Sequence, residues 1–209
     1  VCAGDGLAAV FRDLGCDQIV SGGQTMNPST QNILSAINRT PAETVFVFPN
    51  NKNIIMAAEQ TIPLTEKTVI VIPSKTVPQG VTALLSFDPD GTAEANTEAM
   101  TEALGTVETM QITYAARDSD FDGYAINEGD YLALCGGALF GTAQELTALL
   151  QRLAGHVAED GREFVTLYTG ADTTPEVGQQ ALEIFQAACP DAKVTLVEGG
   201  QPVYYFLIS

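Results

Sequence analysis

The sequence predicts an α/β fold in two parts: a parallel-sheet subdomain over residues 1–106 and a second α/β subdomain with a mixed sheet over 107–209. Three observations carry this. The runs TVFVF at 44–48 and TVIVI at 68–72 are strand-sized and almost uniformly apolar, as parallel strands covered on both faces must be. Amphipathic helical patterns alternate with them, the rhythm of a layered α/β sheet. Past residue 105 the rhythm changes to alternating runs and a Gly-Gly hairpin, which point to antiparallel pairing.

Taken in chain order, residues 7–14 read as a helix and 18–20 as a short strand. Residues 29–38 place Ile33, Leu34 and Ile37 on one helical face. The strand at 44–48 is followed by a helix at 53–60, the second buried strand at 68–72 by a helix at 81–87. A further helix at 93–104 sets Asn96, Thr97 and Glu98 on its wetter side. In the second part, 110–116 alternates as a strand. Residues 131–135 and 138–140 form a hairpin in which Gly136 and Gly137 supply the positive φ of a primed turn. A helix over 143–153 starts at Thr142 or Gly141. A strand at 164–168 precedes a helix over 175–188, opened by Thr174 as N-cap with proline at its first position. Strands at 193–197 and 203–208 close the chain, with GGQP at 199–202 as the turn between them.

Bulk composition narrows the function classes. The chain has 209 residues, enough for one large domain or two small ones with real cores. Twenty-six acids against nine bases give a net charge of −17, which repels phosphate backbones and anionic lipid headgroups. Nucleic acid and membrane insertion are therefore not expected, and a partner is expected to offer a basic patch. Cys2, Cys16, Cys135 and Cys189 are far apart with no CxxC pair, so they read as small buried hydrophobes in a reducing cytoplasm. His156, the single histidine, reads as a solvated residue near a helix end. DSDFDG at 118–123 starts like a calcium loop, but Gly129 stands where the closing glutamate belongs, so an acidic turn and no metal site are expected. The abrupt start VCAG reads as the tail of a strand entering a helix, hence as a piece of a larger protein.

The candidate binding residues lie in three polar loops, each after a predicted parallel strand and before a helix. Ligands of open α/β sheets bind at that edge. SGGQTMNPST at 21–30 contributes Gln24, Thr25, Asn27 and Ser29. PNNKN at 49–53 contributes Asn50, Asn51, Lys52 and Asn53, and PSKTVPQG at 73–80 contributes Ser74, Lys75, Thr76 and Gln79. Helix capping accounts for part of this polarity, with Asn27 or Ser29 as a cap, and PNNKN is also an ordinary turn composition. The two lysines stand out because only nine bases exist in the chain. Gln201 repeats the Gly-Gly-Gln pattern of Gln24 and is expected to close the same cleft if the two parts face each other. No Walker A loop or GxGxxG fingerprint is present, and no catalytic residue is assigned.

GGQTMNPST, VFVFPNNKNIIMAAEQ, VIVIPSKTVPQGVTALLSFDP, ITYAARD and the terminal GGQPVYYFLIS, in this order, together resemble the C-terminal region of FakA-type proteins. These are the ATP-dependent subunits of bacterial fatty acid kinase, a dihydroxyacetone kinase-like family. The resemblance implies a DegV-like fold with a Rossmann-like first subdomain, similar to FakB, the fatty-acid-carrying partner. It implies a transferase system of phospholipid metabolism in which ATP and Mg²⁺ sit on a separate N-terminal domain, so that no cofactor is expected in this region. FakB proteins hold the lipid carboxylate with a Thr-Ser-Gln-Pro-Ser loop, which GGQTMNPST matches only in part. Three readings follow: a non-catalytic module that docks an acyl-loaded FakB-type carrier and contacts the rest of its own chain; a domain holding a fatty acid or other small anion in the inter-subdomain cleft; and, last, an independent enzyme using Lys52 or Lys75.

Overall fold

In the computed structural model, which describes residues 1–121 and 124–209, the chain divides into two units, Val1–Val107 and Glu108–Ser209. The first contains α1 (Asp5–Asp13), α2 (Thr30–Arg39), β1 (Thr44–Val47), α3 (Ile55–Glu59), a 3₁₀ turn (Ile62–Leu64), β2 (Thr68–Val71), α4 (Val77–Leu85) and α5 (Ala93–Leu104). β1 and β2 pair in parallel, with Thr44 opposite Thr68 and Val47 opposite Val71. Strand alternation sends Val45, Val47 and Val69 to one face, against Ile33, Ile37, Ile54 and Ala58. Phe48 and Ile72 go to the other, against Ala83, Met100 and Leu104.

Two short extended segments widen this sheet. The Val1 nitrogen donates to the Phe48 carbonyl at 2.7 Å. On its other side, the Cys2 N–H reaches the Val20 carbonyl at 3.1 Å and the Gly22 N–H reaches the Cys2 carbonyl at 3.2 Å, a parallel bridge between Cys2 and Ser21. The parallel order is thus 18–21, then Val1 and Cys2, then β1, then β2.

Two expectations for this unit are corrected. α4 begins at Val77 rather than at 81, because Thr76 caps it by accepting the Gln79 N–H at 3.3 Å and Pro78 suits its first turn; Gln79 is therefore helical. Asn96 is buried, not on a wet face. Its amide closes the loop before α5, donating to the Asp88 carbonyl at 2.8 Å and accepting the Asp88 N–H at 2.7 Å.

The second unit contains β3 (Met110–Tyr114), β4 (Ser119–Phe121), β5 (Tyr124–Ile126), β6 (Tyr131–Cys135), β7 (Ala138–Ala143), α6 (Leu146–Glu159), β8 (Phe164–Gly170), α7 (Pro175–Ala188), β9 (Lys193–Gln201) and β10 (Phe206–Ile208). Its mixed sheet has the order β7-β6-β3-β10-β8-β9, all antiparallel except β8 with β9. Met110, Ile112, Phe206, Ile208, Val165 and Leu167 from the sheet share one core with Leu149, Leu150 and Leu153 of α6 and Ala181 and Phe185 of α7. Gly136 (φ 57°) and Gly137 (φ 89°) form the primed turn between β6 and β7. Thr174 caps α7 as expected, accepting the Val177 N–H at 3.4 Å.

Here the ends of elements move. Residues 138–143 all belong to β7, since Ala143 still pairs with Tyr131, so α6 starts at Leu146 and not near Thr142. Gly199, Gly200 and Gln201 prolong β9 instead of turning, through a bulge opposite Thr169 and Gly170. β10 is correspondingly short, and Val203, expected inside it, has φ 74° in the connection. The acidic turn read at 118–123 includes Asp122 and Gly123, which lie outside the described residues. No helix among the described residues is long and apolar enough to cross a membrane.

Candidate functional site

Because the four segments of the first unit run parallel, the loops over 22–29, 49–54 and 73–76 all leave the same edge of its sheet, together with the start of α1. Neighbouring strands lie ~4.8 Å apart, so the loop at 22–29 is two spacings from the loop at 49–54 and three from that at 73–76. The three loops thus stand in a row along that edge. Their residues divide into two groups.

The first group is turned inward. Asn50 takes φ 55°, a left-handed conformation that asparagine tolerates better than most residues. Its N–H consequently leaves the sheet ladder and donates to Ser74 Oγ at 3.0 Å, while its side-chain Nδ2 donates to the Val1 carbonyl at 2.9 Å. Ser74 Oγ in turn donates to Asn50 Oδ1 at 2.7 Å. Both residues are buried, and a Cβ on Gly80 would fall 2.0 Å from Asn50 Oδ1. Only glycine in the first turns of α4 admits this amide. Asn51, also buried, accepts the Asn53 N–H at 2.9 Å. Gln79 accepts the Lys75 N–H at 2.8 Å and donates to the Leu104 carbonyl at 3.1 Å, tying the loop to the end of α5. Ser29, although exposed, is engaged as the cap of α2, in a reciprocal box with Asn32. Thr76 is the cap of α4.

The second group faces solvent: Gln24, Thr25, Asn27, Lys52, Asn53 and Lys75 are all exposed. Met26, 75% exposed, and Met56, 69% exposed, accompany them on the loop at 22–29 and on α3. The rim thus offers polar tips, two cations and flexible apolar side chains outward, while its buried donors satisfy one another.

Gln201 sits in the second unit at the end of β9. It is buried, donates from Nε2 to the Tyr168 carbonyl at 3.0 Å, and leaves Oε1 buried with no partner among the described residues.

A cluster that sequence reading missed also lies in the second unit. Glu108, Cys135 and His156 bring their ligand atoms within 4.8 Å of one another. Cys135 Sγ donates to Glu108 Oε1 at 3.0 Å, and His156, half-buried rather than solvated, packs against the Phe140 ring at 5.2 Å. Burial, and then the Glu108 carboxylate, push the Cys135 thiol up to about 12. The Arg162 guanidinium already neutralises Glu108 at 2.6 Å. The thiol donates to a carboxylate that Arg162 also engages, so a cation there would have to displace the thiol proton and compete with Arg162 for Glu108. Residues so distant in sequence carry no spacing signal; only the pairing of β6 with β3 and the packing of α6 join them.

The first unit also holds a half-open cavity of about 670 Å³. It is bounded by residues 44–48, by residues 18–20, and by apolar side chains that include Phe11, Ile33 and Ile37, and Leu84, Phe87 and Met100.

The model of the FakA-like family, which describes the C-terminal region of fatty acid kinase proteins of the A type, matches residues 1–209. Among curated proteins, Protein YloV of Bacillus subtilis is 40% identical over 210 residues and uncharacterized protein SAR1202 of Staphylococcus aureus 33% over 209. Both matches take in all of this chain but 38% of the relative. Among solved structures, the DegV family protein Cg2579 of Corynebacterium glutamicum superposes with a TM-score of 0.65 at 14% identity, covering 96% of this chain and 92% of that one. The Streptococcus pneumoniae fatty acid kinase B3 protein loaded with linoleic acid gives 0.61 at 14% identity, covering 87% and 75%. Hypothetical protein TM841 of Thermotoga maritima, described as revealing fatty acid binding function, gives 0.60 at 13% identity, covering 97% and 82%. The fold is the DegV-like α/β fold.

Proposed function

Since the chain belongs to the FakA-like C-terminal family of fatty acid kinase proteins, we propose that it is the non-catalytic docking module of a bacterial fatty acid kinase. It receives an acyl-loaded carrier of the FakB type and holds it for phosphorylation by a separate ATP- and Mg²⁺-binding domain of the longer protein. The observation that favours docking over ligand capture is the division of the rim. Asn50, Ser74 and Gln79 use their hydrogen bonds on each other and on the backbone, whereas Lys52 and Lys75 project outward with Gln24 and Met26. Exposed cations on a chain of net charge −17 suit an acidic patch on one part of a carrier, and the acidic remainder suits basic ones. The contribution to catalysis is proximity.

The test is isothermal calorimetry and sedimentation of this chain with acyl-loaded carrier, repeated with Lys52→Glu and Lys75→Glu. Binding that weakens at least about tenfold in the double variant supports the reading. Absence of both heat and a sedimentation shift removes it.

A second reading, a DegV-like domain holding a fatty acid or other small anion, is favoured by the apolar cavity of the first unit and by the lipids named for two of the structural neighbours. Native mass spectrometry of the freshly purified chain distinguishes it, since only this reading expects a copurified acid.

A further inference from the structure

The cavity of the first unit has a shape that no ligand lying on a sheet face would explain. All five consecutive residues 44–48 line it, as do all three residues 18–20. A cavity on one face of a strand meets alternate side chains; only one at the strand's edge meets them all. Apolar residues of both flanking layers line it as well, Ile33 and Ile37 from α2, Leu84 from α4 and Met100 from α5. The cavity therefore lies in the plane of the sheet, between β1 and the segment at 18–20.

The hydrogen-bond phase of the two walls supports this. The Thr68 and Ile72 N–H groups donate to the Glu43 and Val47 carbonyls at 2.9 Å each. In a parallel pair, odd-numbered residues of β1 thus face β2, and the N–H and C=O groups of even-numbered residues face the opposite edge. The bond from Val1 to the Phe48 carbonyl is the first of that edge. Continuing it, the carbonyls of Phe46 and Thr44 and the N–H groups of Phe48 and Phe46 point into the slot. On the opposite wall, the Val20 carbonyl already accepts from Cys2. The same phase aims the Val20 N–H and the Gln18 carbonyl, which also accepts the Cys16 thiol at 3.3 Å, into the slot. Val1 and Cys2 stand between the walls at one end, so the gap is one strand wide. Its length beside residues 44–48 is four residue steps, about 13 Å.

We propose that this slot is the seat of a missing parallel β-strand, and that its occupant is the polypeptide directly upstream of Val1 in the longer proteins of this family. The curated relatives extend well beyond the matched region, and the family region is their C-terminal one. Residue by residue, the first upstream position donates to the Gln18 carbonyl and accepts from the Val20 N–H. The second donates to the Phe46 carbonyl and accepts from the Phe48 N–H. The fourth donates to the Thr44 carbonyl and accepts from the Phe46 N–H. An acyl chain of the same bulk would cover these peptide groups yet offer them no partners, which disfavours it. The inference does not rest on the docking reading. It assigns the cavity that favours lipid capture to the fold instead.

The experiment compares three proteins by hydrogen exchange: the 209-residue chain, the chain extended by the five residues that precede the matched region in the Bacillus subtilis relative, and the chain with a Gly-Ser extension of equal length. Oleate added to the unextended chain forms a fourth arm. The native-type extension is expected to slow exchange at the Phe46, Phe48 and Val20 amides at least about tenfold, with no such protection from the Gly-Ser extension or from oleate. Equal exchange in all three proteins, or these amides already protected in the unextended chain, overturns the proposal. Equal protection by oleate overturns it as well and assigns the slot to an acyl chain.

Discussion

In the second unit, β3, β6, β8 and β10 all have a neighbouring strand on each side, and one core beneath the sheet joins α6 and α7 to it. In the first unit β1 is paired with β2 along its length on one side, but on the other only Val1 and Cys2 adjoin the neighbouring segment. The inner strands of the second sheet thus have their backbone groups paired within the chain. The first leaves a row of them facing a cavity, and its apolar residues divide into clusters on the two faces. Apolar burial and backbone pairing are therefore separate requirements. The first unit meets the former at Ile54, Ile72 and Met100, each fully buried, and the upstream strand proposed above would complete the latter.

The largest expected effect tests this contrast directly. Phe206, fully buried on central strand β10, should cost about 3–5 kcal/mol when replaced by alanine. Phe48→Ala should cost clearly less, because Phe48 already borders open volume and has fewer packing partners to lose. Urea denaturation read by hydrogen exchange in each unit checks both, and equal losses would remove the distinction. Next, Gly80→Ala drives a methyl group into Asn50 Oδ1, and Ser74→Ala removes both bonds that Asn50 shares with it. Each should cost about 1–3 kcal/mol, read as a fall in the urea midpoint confined to the first unit.

Gln201 is the counterpart of Asn50 in the second unit, a buried amide used at one end only. Gln201→Met discards the bond to Tyr168 but also the orphaned oxygen, so its cost should stay within about 1 kcal/mol. A loss as large as that of Ser74→Ala would show that Oε1 has a partner in solution.

The smallest effect is expected at Cys135. Its thiol is raised from 9.0 to about 12, by burial first and then by Glu108. A folded-state value above the unfolded one means stability that is complete below pH 9 and lost as pH climbs from 9 towards 12. The side chain is only partly buried, so solvent screens much of this. Denaturation of the protein and of Cys135→Ala at about pH 8 and about pH 10.5 should show the gap between them narrowing at the higher pH. Alkylation at about pH 8 should be slow at Cys135 and faster in Glu108→Gln.

The α/β class, β1, β2, α7 and the β6–β7 hairpin were legible in the sequence because each depends on local signals: a continuous apolar run, a Thr-Pro start or a Gly-Gly turn. Ends that depend on partners were not. α4 gained its first turn from a cap inside what composition marks as a loop, and β9 ran through Gly199 and Gly200 because β8 continued beside it. The shared edge of the three polar loops follows from the alternation of strands and helices. That Asn50 and Ser74 face each other while Lys52 and Lys75 face out depends on one left-handed residue and one glycine, Gly80, whose meaning appears only once α4 is packed. The cluster of Glu108, Cys135 and His156 spans three separate elements and leaves no trace in spacing.

Val203 also bears on how the chain ends. A β-branched residue at φ 74° costs roughly 1–3 kcal/mol in its backbone, and the Thr113 hydroxyl, donating to its carbonyl at 2.8 Å, helps hold it there. Glycine would relieve that tension, yet it would also let the crossing into the final strand wander among many shapes before docking. A valine there leaves the connection into β10 fewer backbone shapes than glycine would, which narrows the ways in which the last residues can reach the place between β3 and β8.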